Sequence, residues 1–345
     1  MKRSIDIRVL KGVVVLLVIL LVILSGLLVL QFWDRTQSEE TVNETVGTAS
    51  QEESRPQSPT IEREVTYYNG QAYALRDDLE SYLVMGLDKF AGDEQANYLN
   101  NQQADFLLLF VFDKTAGECT TIQLNRDTMT EIRILGVTGQ EAGSFTGQLA
   151  LAHTYGSGQE DSCRNEVQAV SNLLYGVPID HYLSLTMDGV ALLNDMVGGV
   201  TVTVMDDFTG IDDTLVQGQE VTLTGQHALT YVRARGGLED STNLHRMERQ
   251  RQYLGGLFEK LSQQVKSNSG FTMDALLKVN EYMVSDCTIN QLSEFADKVS
   301  DYGIGEIRTI PGESVKGEEY MEYYVDEDAL QALVMDVFYE TVDAE

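Results

Sequence analysis

SYLVMGLD (Ser81–Asp88) and, after a polar loop, DFLLLFVFD (Asp105–Asp113) are the stretches that decide the fold. Each is a run of large apolar residues of strand length, and such runs fit strands buried on both faces. Asp88 ends the first and Asp105 begins the second. A third strand lies in CTTIQLNRDTM and ends at Arg126-Asp127, and MTEIRIL extends it or starts another. Upstream, Asn69-Gly70 in EVTYYNGQAYAL predicts a hairpin. Downstream, QLALAHTYG and the stretch from Glu160 to Tyr175 have helical spacing. HYLSLT reads as a strand, Asp188–Val197 as a helix and Val200–Val204 as a strand. Thr224 is placed to cap a short helix, GQHALTYVR, and a longer helix runs from Leu244 to about Val265. Helices follow at Met273–Met283 and Ile289–Tyr302, then a strand near Glu306–Ile310 and a last helix at Asp326–Tyr339. Strands and helices alternate, which predicts an α/β class with a central mixed sheet sandwiched by helices.

The chain of 345 residues carries a formal charge of −30. That balance argues against binding nucleic acid through its phosphates, which needs a broad basic face. Cys119, Cys163 and Cys287 are widely spaced, with no CxxC and no Cys/His cluster, which argues against zinc. Lys2, Arg3, Arg8 and Lys11 precede an apolar run in which Val13–Leu30 holds no charge. Residues 12–33 are therefore expected to span a membrane, with 1–11 in the cytoplasm, because positive charge lies only on that side. No small-residue cleavage site follows, so an uncleaved anchor is favoured over a signal peptide. Residues 34–64 are polar and acidic and read as a flexible tether with a span of about 30 Å. The folded part, 65–345, is then expected outside the cytoplasm.

Positive charge is scarce, yet Tyr231–Tyr253 holds Arg233, Arg235, Arg246, Arg249 and Arg251. Arginine grips phosphate with two parallel hydrogen bonds, which lysine cannot do. Asn243 is expected as an N-cap, placing Arg246 and Gln250 on one face near a helix N-terminus that favours anions. Arg251 lies about 140° round the helix from Arg246 and is expected at the surface. The alternative is a solvated helix with ion pairs from Asp240 or Glu248. Asp88 and Asp105, with no sulfur or imidazole nearby, suit a hard cation such as magnesium. Acidic strand ends and an arginine cluster together describe a pyrophosphate site, unless they merely pair with one another at the surface. There is no GxSxG and no P-loop. The four histidines are scattered, though His245 adjoins Arg246.

The order of motifs resembles the LytR–CpsA–Psr family of Gram-positive cell-envelope proteins. The matching stretches are YLVMGLD, QADFLLLFVFD, QLNRDTMTEI, LAHTYGSG, NLLYGVPIDHYLSLTMDGVALLNDMVGGVTVTV, GQHALTYVRAR and NLHRMERQRQYL, within about residues 81–260. The resemblance implies a three-layer α/β/α sandwich with an apolar groove for a lipid tail. It implies a magnesium-dependent phosphotransferase of the cell membrane. Such an enzyme moves a glycopolymer, such as a teichoic acid or capsule chain, from a polyprenyl pyrophosphate carrier to peptidoglycan. Carried over by position, Asp88 and Asp105 bind the metal. Arg126, Arg233, Arg235, Arg246 and Gln250 hold the pyrophosphate, and Asp127 partners Arg126 as the catalytic pair. Two positions depart from the family pattern. Gln103 stands where many relatives have arginine, and Arg76 could substitute for it. Asn243 stands where many have aspartate, which leaves Asp127, Asp240 or His245 as the general base. The competing functions are a polyprenyl-pyrophosphate pyrophosphatase and a non-catalytic envelope regulator or scaffold.

Overall fold

The computed structural model describes residues 64–88, 102–136, 139–235, 238, 242–318 and 320–343. The expected membrane span 12–33, nearly all of the tether, and Asp240 lie outside these residues. None of the described helices is long and apolar enough to cross a membrane.

Strands β1 (Val65–Tyr68) and β2 (Gln71–Leu75) form the hairpin that Asn69-Gly70 predicts, with both turn residues at positive φ. The two apolar runs are β3 (Leu79–Leu87) and β4 (Ala104–Asp113), and β5 is Glu118–Leu124. A second hairpin follows, β6 (Met129–Leu135) and β7 (Glu141–Gln148). Helix α1 is Gln159–Leu173, β8 is His181–Thr186, and α2 is Met187–Met196. Then come β9 (Val200–Thr203), β10 (Glu220–Leu223), α3 (Gly225–Arg233) and α4 (Asn243–Ser267). The last third holds α5 (Phe271–Val279), β11 (Met283–Ser285), α6 (Ile289–Tyr302) and β12 (Ile307–Thr309). It ends with β13 (Gly312–Lys316), β14 (Met321–Val325), α7 (Glu327–Phe338) and β15 (Tyr339–Thr341).

The central sheet has six strands in the order β11-β8-β3-β4-β5-β12. It is mixed: β3 with β8 and β5 with β12 are parallel, and the other neighbours are antiparallel. Alternation along β4 supplies both faces. Leu107, Leu109 and Val111 join one core with Val170 and Leu173 of α1 and Leu330 and Val334 of α7. Leu108, Phe110 and Phe112 face the other way, against Phe258 of α4 and Phe295 and Val299 of α6. Each fully buried leucine or phenylalanine contributes about 1.5–3 kcal/mol, which is why so apolar a strand must be central. A third core ties β9 and β10 to α3, α4 and α5.

Two readings of the sequence need correction. QLALAHTYG forms no α-helix; Gln148 ends β7, and only Leu149–Leu151 make a 3₁₀ turn before the chain folds back. Thr224 stands at the start of α3 without a side-chain cap. Asp195 Oδ1 instead accepts the Gly225 N–H at 2.7 Å.

Gly86 is required by close packing. A Cβ there would lie 2.9 Å from Cβ of Phe106 on the facing strand, an atom fixed by its own backbone. Gly86→Ala is expected to cost about 1–3 kcal/mol by overpacking, read as a lower urea midpoint at unchanged slope.

Candidate active site

Asp105 owes its direction to a bulge. Across β3 and β4, Gly86 faces Phe106 and Leu87 faces Ala104, so Asp105 has no residue opposite. An extra residue in one strand re-aims its side chain. The carboxylate pairs with Arg126, and its second oxygen lies 3.8 Å from Arg246 Nη1. Asp88 follows the last residue of β3, and its N–H donates to the Gln103 carbonyl at 3.4 Å. Its carboxylate pairs with Arg233, the last residue of α3. Antiparallel pairing thus brings both aspartates to one edge of the sheet, as their strand-end positions predict. This all-oxygen pair fits a hard cation.

Arg126 is buried in the turn after β5 and is held on three sides. Besides Asp105, it donates to Asp127 Oδ1 at 3.2 Å and to Gln103 Oε1 at 2.7 Å. Gln103 therefore steadies Arg126 from the place where an arginine was expected. Gln148, at the end of β7, donates to Asp127 Oδ1 at 3.0 Å and to the Met321 carbonyl at 2.7 Å. Asn125 Oδ1 accepts from the Asp127 N–H at 3.0 Å and from Asn243 Nδ2 at 2.6 Å. Asn243 Oδ1 in turn accepts from Arg246 Nη2 at 2.5 Å. Asn243 is therefore not the cap of α4. That role falls to Thr242, whose hydroxyl accepts the His245 N–H at 3.3 Å. Asn243 is the first helical residue, buried between Asn125 and Arg246.

The electrostatics favour an anion. Burial, then the charges of Arg235 and Arg126, pushes the Arg246 guanidinium down to about 9, against a pull upward from Asp127. Arg126 is lowered as well, by burial first, with Asp127 opposing and Arg235 adding to the shift. Both remain cations at neutral pH. Two buried donors beside them, Arg246 Nε and Asn125 Nδ2, have no acceptor among the described residues. Buried donors are normally satisfied, so the pair marks a place for acceptor oxygens. Below this cluster opens an apolar cavity of about 250 Å³, bordered at its mouth by Asp88, Asp105, Arg233, Arg246 and Gln250. Its walls include Phe106 and Phe110 of β4, Leu185 of β8, Leu257 of α4, Ala275 of α5 and Phe295 of α6. The resemblance implies an apolar groove, and an apolar cavity lies beside these residues.

Several expected site residues serve the scaffold. Gln250 borders the cavity, but its amide donates to the Val232 carbonyl at 3.2 Å and accepts from Gln123 at 3.1 Å. Arg249 is buried under the preceding loop and pairs with Asp206 at 2.5 Å. His245 joins the same carboxylate at 2.5 Å, which makes it part of that strut. Arg251 is half-buried and donates to Gln123 Oε1 at 3.0 Å, so the expectation of a surface residue does not hold. Arg76 pairs with Asp78 and with Asp113, at the far end of β4 from Asp105, and cannot replace an arginine at the site. Asn125, Gln148 and Asp206 carry no sequence signal beyond standing near strand ends. Cys119, Cys163 and Cys287 are free thiols.

Behind the site, Glu166 of α1 is wholly buried. Its Oε2 accepts the His153 N–H at 2.8 Å, and its Oε1 has no partner among the described residues. Burial pushes this carboxyl well above the carboxylate range, only partly offset by the His153 N–H and the charge of Arg126. The folded chain keeps a proton that the unfolded chain releases above about pH 4.3, so stability falls as pH rises from there. His153 acts with the opposite sign. Burial pushes it down to about 4, so its stability contribution grows as pH rises from there to the unfolded value of about 6.5. The two oppose each other between about pH 4.3 and 6.5. Glu166→Gln is expected to flatten the loss of stability as pH rises above about 4.3, by at most about 1.4 kcal/mol per pH unit. Urea unfolding at several pH values measures this. Equal slopes in both proteins would mean that Glu166 is ionised in the fold.

The LytR_cpsA_psr family model matches residues 36–337. The chain belongs to that family. It is 28% identical over 250 residues to the polyisoprenyl-teichoic acid–peptidoglycan teichoic acid transferase TagU of Bacillus cereus (strain AH820), covering 72% of this chain and 74% of that protein. The TagU of Enterococcus faecalis (strain ATCC 700802 / V583) is 28% identical over 219 residues, 63% of this chain and 64% of that protein. Among solved structures, Lin1025 from Listeria innocua aligns with a TM-score of 0.52 at 26% identity, covering 75% of this chain and 97% of that one. B. subtilis TagV aligns with a TM-score of 0.58 at 24% identity over 76% and 97%. The fold of this family member is thus the mixed α/β fold of those proteins.

Proposed function

We propose that this chain is a phosphotransferase that moves a glycopolymer, of the teichoic acid type, from a polyprenyl pyrophosphate carrier to peptidoglycan. One observation carries the reading: the buried Arg246, whose Nε finds no acceptor among the described residues, borders an apolar cavity together with Arg233. That pairing matches a ligand with a pyrophosphate head and a hydrocarbon tail. Arg126, Arg233, Arg235 and Arg246 bind the two phosphates, and the cavity holds the first part of the lipid. An acceptor hydroxyl of the peptidoglycan attacks the phosphorus nearest the sugar. The new P–O bond forms as the bond to the bridging oxygen breaks, and polyprenyl phosphate leaves with the electron pair. Asp127 fixes the direction of Arg126 and takes the hydroxyl proton. The arginines stabilise charge on the transferring and leaving groups, and alignment of the reactants supplies much of the rest.

Asp88 and Asp105 would hold magnesium, which when bound neutralises charge on the pyrophosphate. The apolar span 12–33 would anchor the chain in the cell membrane, with 1–11 cytoplasmic and 65–345 outside. The tether 34–64 would keep the site within reach of both the lipid carrier and the wall.

The test is product analysis with lipid-linked glycopolymer and peptidoglycan oligomers. The expected result is a covalent conjugate and free polyprenyl phosphate. Release of free polymer without conjugate would replace the transferase with a lipid pyrophosphatase. Chelation is expected to abolish turnover, and added magnesium to restore it. Full activity in chelator would remove Asp88 and Asp105 as metal ligands.

A further inference from the structure

His181, Asp286 and Cys287 bring an imidazole nitrogen, a carboxylate oxygen and a sulfur within 4.8 Å of one another. His181 opens β8, and the other two follow β11, its antiparallel neighbour. They lie at the end of the sheet where β3 begins, whereas Asp88 lies where β3 ends. The cluster is therefore separate from the arginine site.

Two of its spacings are those of neighbouring ligands around one ion. His181 Nδ1 is 3.8 Å from Asp286 Oδ1, too far for a hydrogen bond. Cys287 donates its S–H to the same oxygen, with Sγ 3.6 Å away. Zinc bonds of about 2.0–2.3 Å in a tetrahedron put neighbouring ligands about 3.3–3.8 Å apart. The surrounding groups also suit such a site. Glu80 Oε1 lies 3.9 Å from the other imidazole nitrogen, where a small shift gives the carboxylate–histidine pair that orients metal-bound imidazoles. Asp286 is held by the Tyr182 N–H at 3.0 Å, and the Cys287 N–H donates to Ser285 Oγ at 3.0 Å. Ser285 in turn donates to the Tyr182 carbonyl at 2.7 Å.

We propose that His181, Asp286 and Cys287 form a site for a borderline-soft divalent cation such as zinc, with a fourth position open to water. On binding, the Cys287 thiol gives its proton to solvent as the sulfur–metal bond forms. The ligand set joins β8 to the start of α6. Thr288, the next residue, caps that helix, and Phe295 and Val299 of α6 wall the apolar cavity. The site would therefore fasten one wall of the cavity to the sheet.

The test uses the full-length chain in detergent with excess magnesium, so that the acidic pair at the arginine site does not compete. After zinc loading and dialysis, the expected result is one zinc per chain and a raised melting temperature. Cadmium is expected to produce an ultraviolet thiolate charge-transfer band. Cys287→Ser and His181→Gln, each shown by circular dichroism to be folded, are expected to weaken binding at least tenfold and lose the band, while Cys119→Ser keeps both. Absence of zinc retention in the parent chain overturns the proposal, and so does equal retention by the folded Cys287→Ser and His181→Gln proteins.

Discussion

Arg246→Lys will slow glycopolymer transfer by roughly 10²–10³-fold, the usual loss when one preorganised donor to a reacting anion is removed. The reason is geometric as much as electrostatic. Arg246 lies at the mouth of the cavity, buried, with one guanidinium nitrogen on Asn243 Oδ1 at 2.5 Å and the group facing Asp105. Its Nε has no acceptor among the described residues. Lysine keeps the charge but gathers its three N–H groups on one nitrogen, so it cannot reach Asn243 and the phosphate with the spread of the guanidinium fork. The charge it would place there is also harder to desolvate, since an ammonium is more strongly hydrated than a guanidinium. Charge on the leaving phosphate grows toward the transition state, so the loss should fall mainly on kcat, with KM for the lipid donor changing less. Steady-state kinetics with a lipid-linked donor, alongside a melting curve, separates this from unfolding. A loss of only about twofold would make Arg246 a strut for Asn243 and Asp105, with no role at the phosphates.

The pattern of sequence features that could be read correctly follows from which of them are local. β3 and β4 are legible because six or seven apolar residues in a row, 82–87 and 106–112, have few other places to go. Asp88 and Asp105 are legible because strand ends put side chains at one sheet edge. Yet the bulge that aims Asp105 is invisible in the sequence, since it depends on how Gly86 meets Phe106 across the pair. The arginine stretch shows the same division. Its charge stands out, but its division of labour depends on what lies opposite each side chain. Asn243 looks like a cap because asparagine often is one. The preceding Thr242, already extended at φ −66° and ψ 155°, takes that place and frees Asn243 to bridge Asn125 and Arg246. The strands β7, β13 and β14 give little signal, because β7 is polar and glycine-bearing and the other two are short, and they form because neighbouring strands supply their partners. β14 is drawn in by the Tyr323 N–H bonding to the Asp127 carbonyl at 2.8 Å, a contact nearly two hundred residues apart in the chain that no window of sequence contains.

Arg249→Met will destabilise the fold by about 3–5 kcal/mol, the cost of leaving a buried charge without its partner. Arg249 is 1% exposed and pairs with Asp206, itself 6% exposed, at 2.5 Å. It also donates to the Tyr231 carbonyl at 3.1 Å and to the Ala234 carbonyl, and lies over the Phe208 ring at 5.6 Å. These bonds fasten the end of α3 and the residues after it, including the approach to Arg235, onto α4. Methionine keeps the packing over Phe208 but strands Asp206 and two carbonyls. Asp206 retains only His245. The paired change Arg249→Met with Asp206→Leu is expected to recover part of the loss, because it removes the stranded carboxylate. It should not recover all of it, since the two carbonyls stay unsatisfied at about 1–3 kcal/mol each. Urea unfolding of the single and paired variants gives the coupling directly. A single-variant loss below about 1 kcal/mol would mean that water reaches Asp206 and that the strut is not buried in solution. Reduced transfer by the folded fraction of Arg249→Met, with normal transfer in the paired variant, would place the defect in the positioning of Arg235 and not in contact between Arg249 and the phosphates.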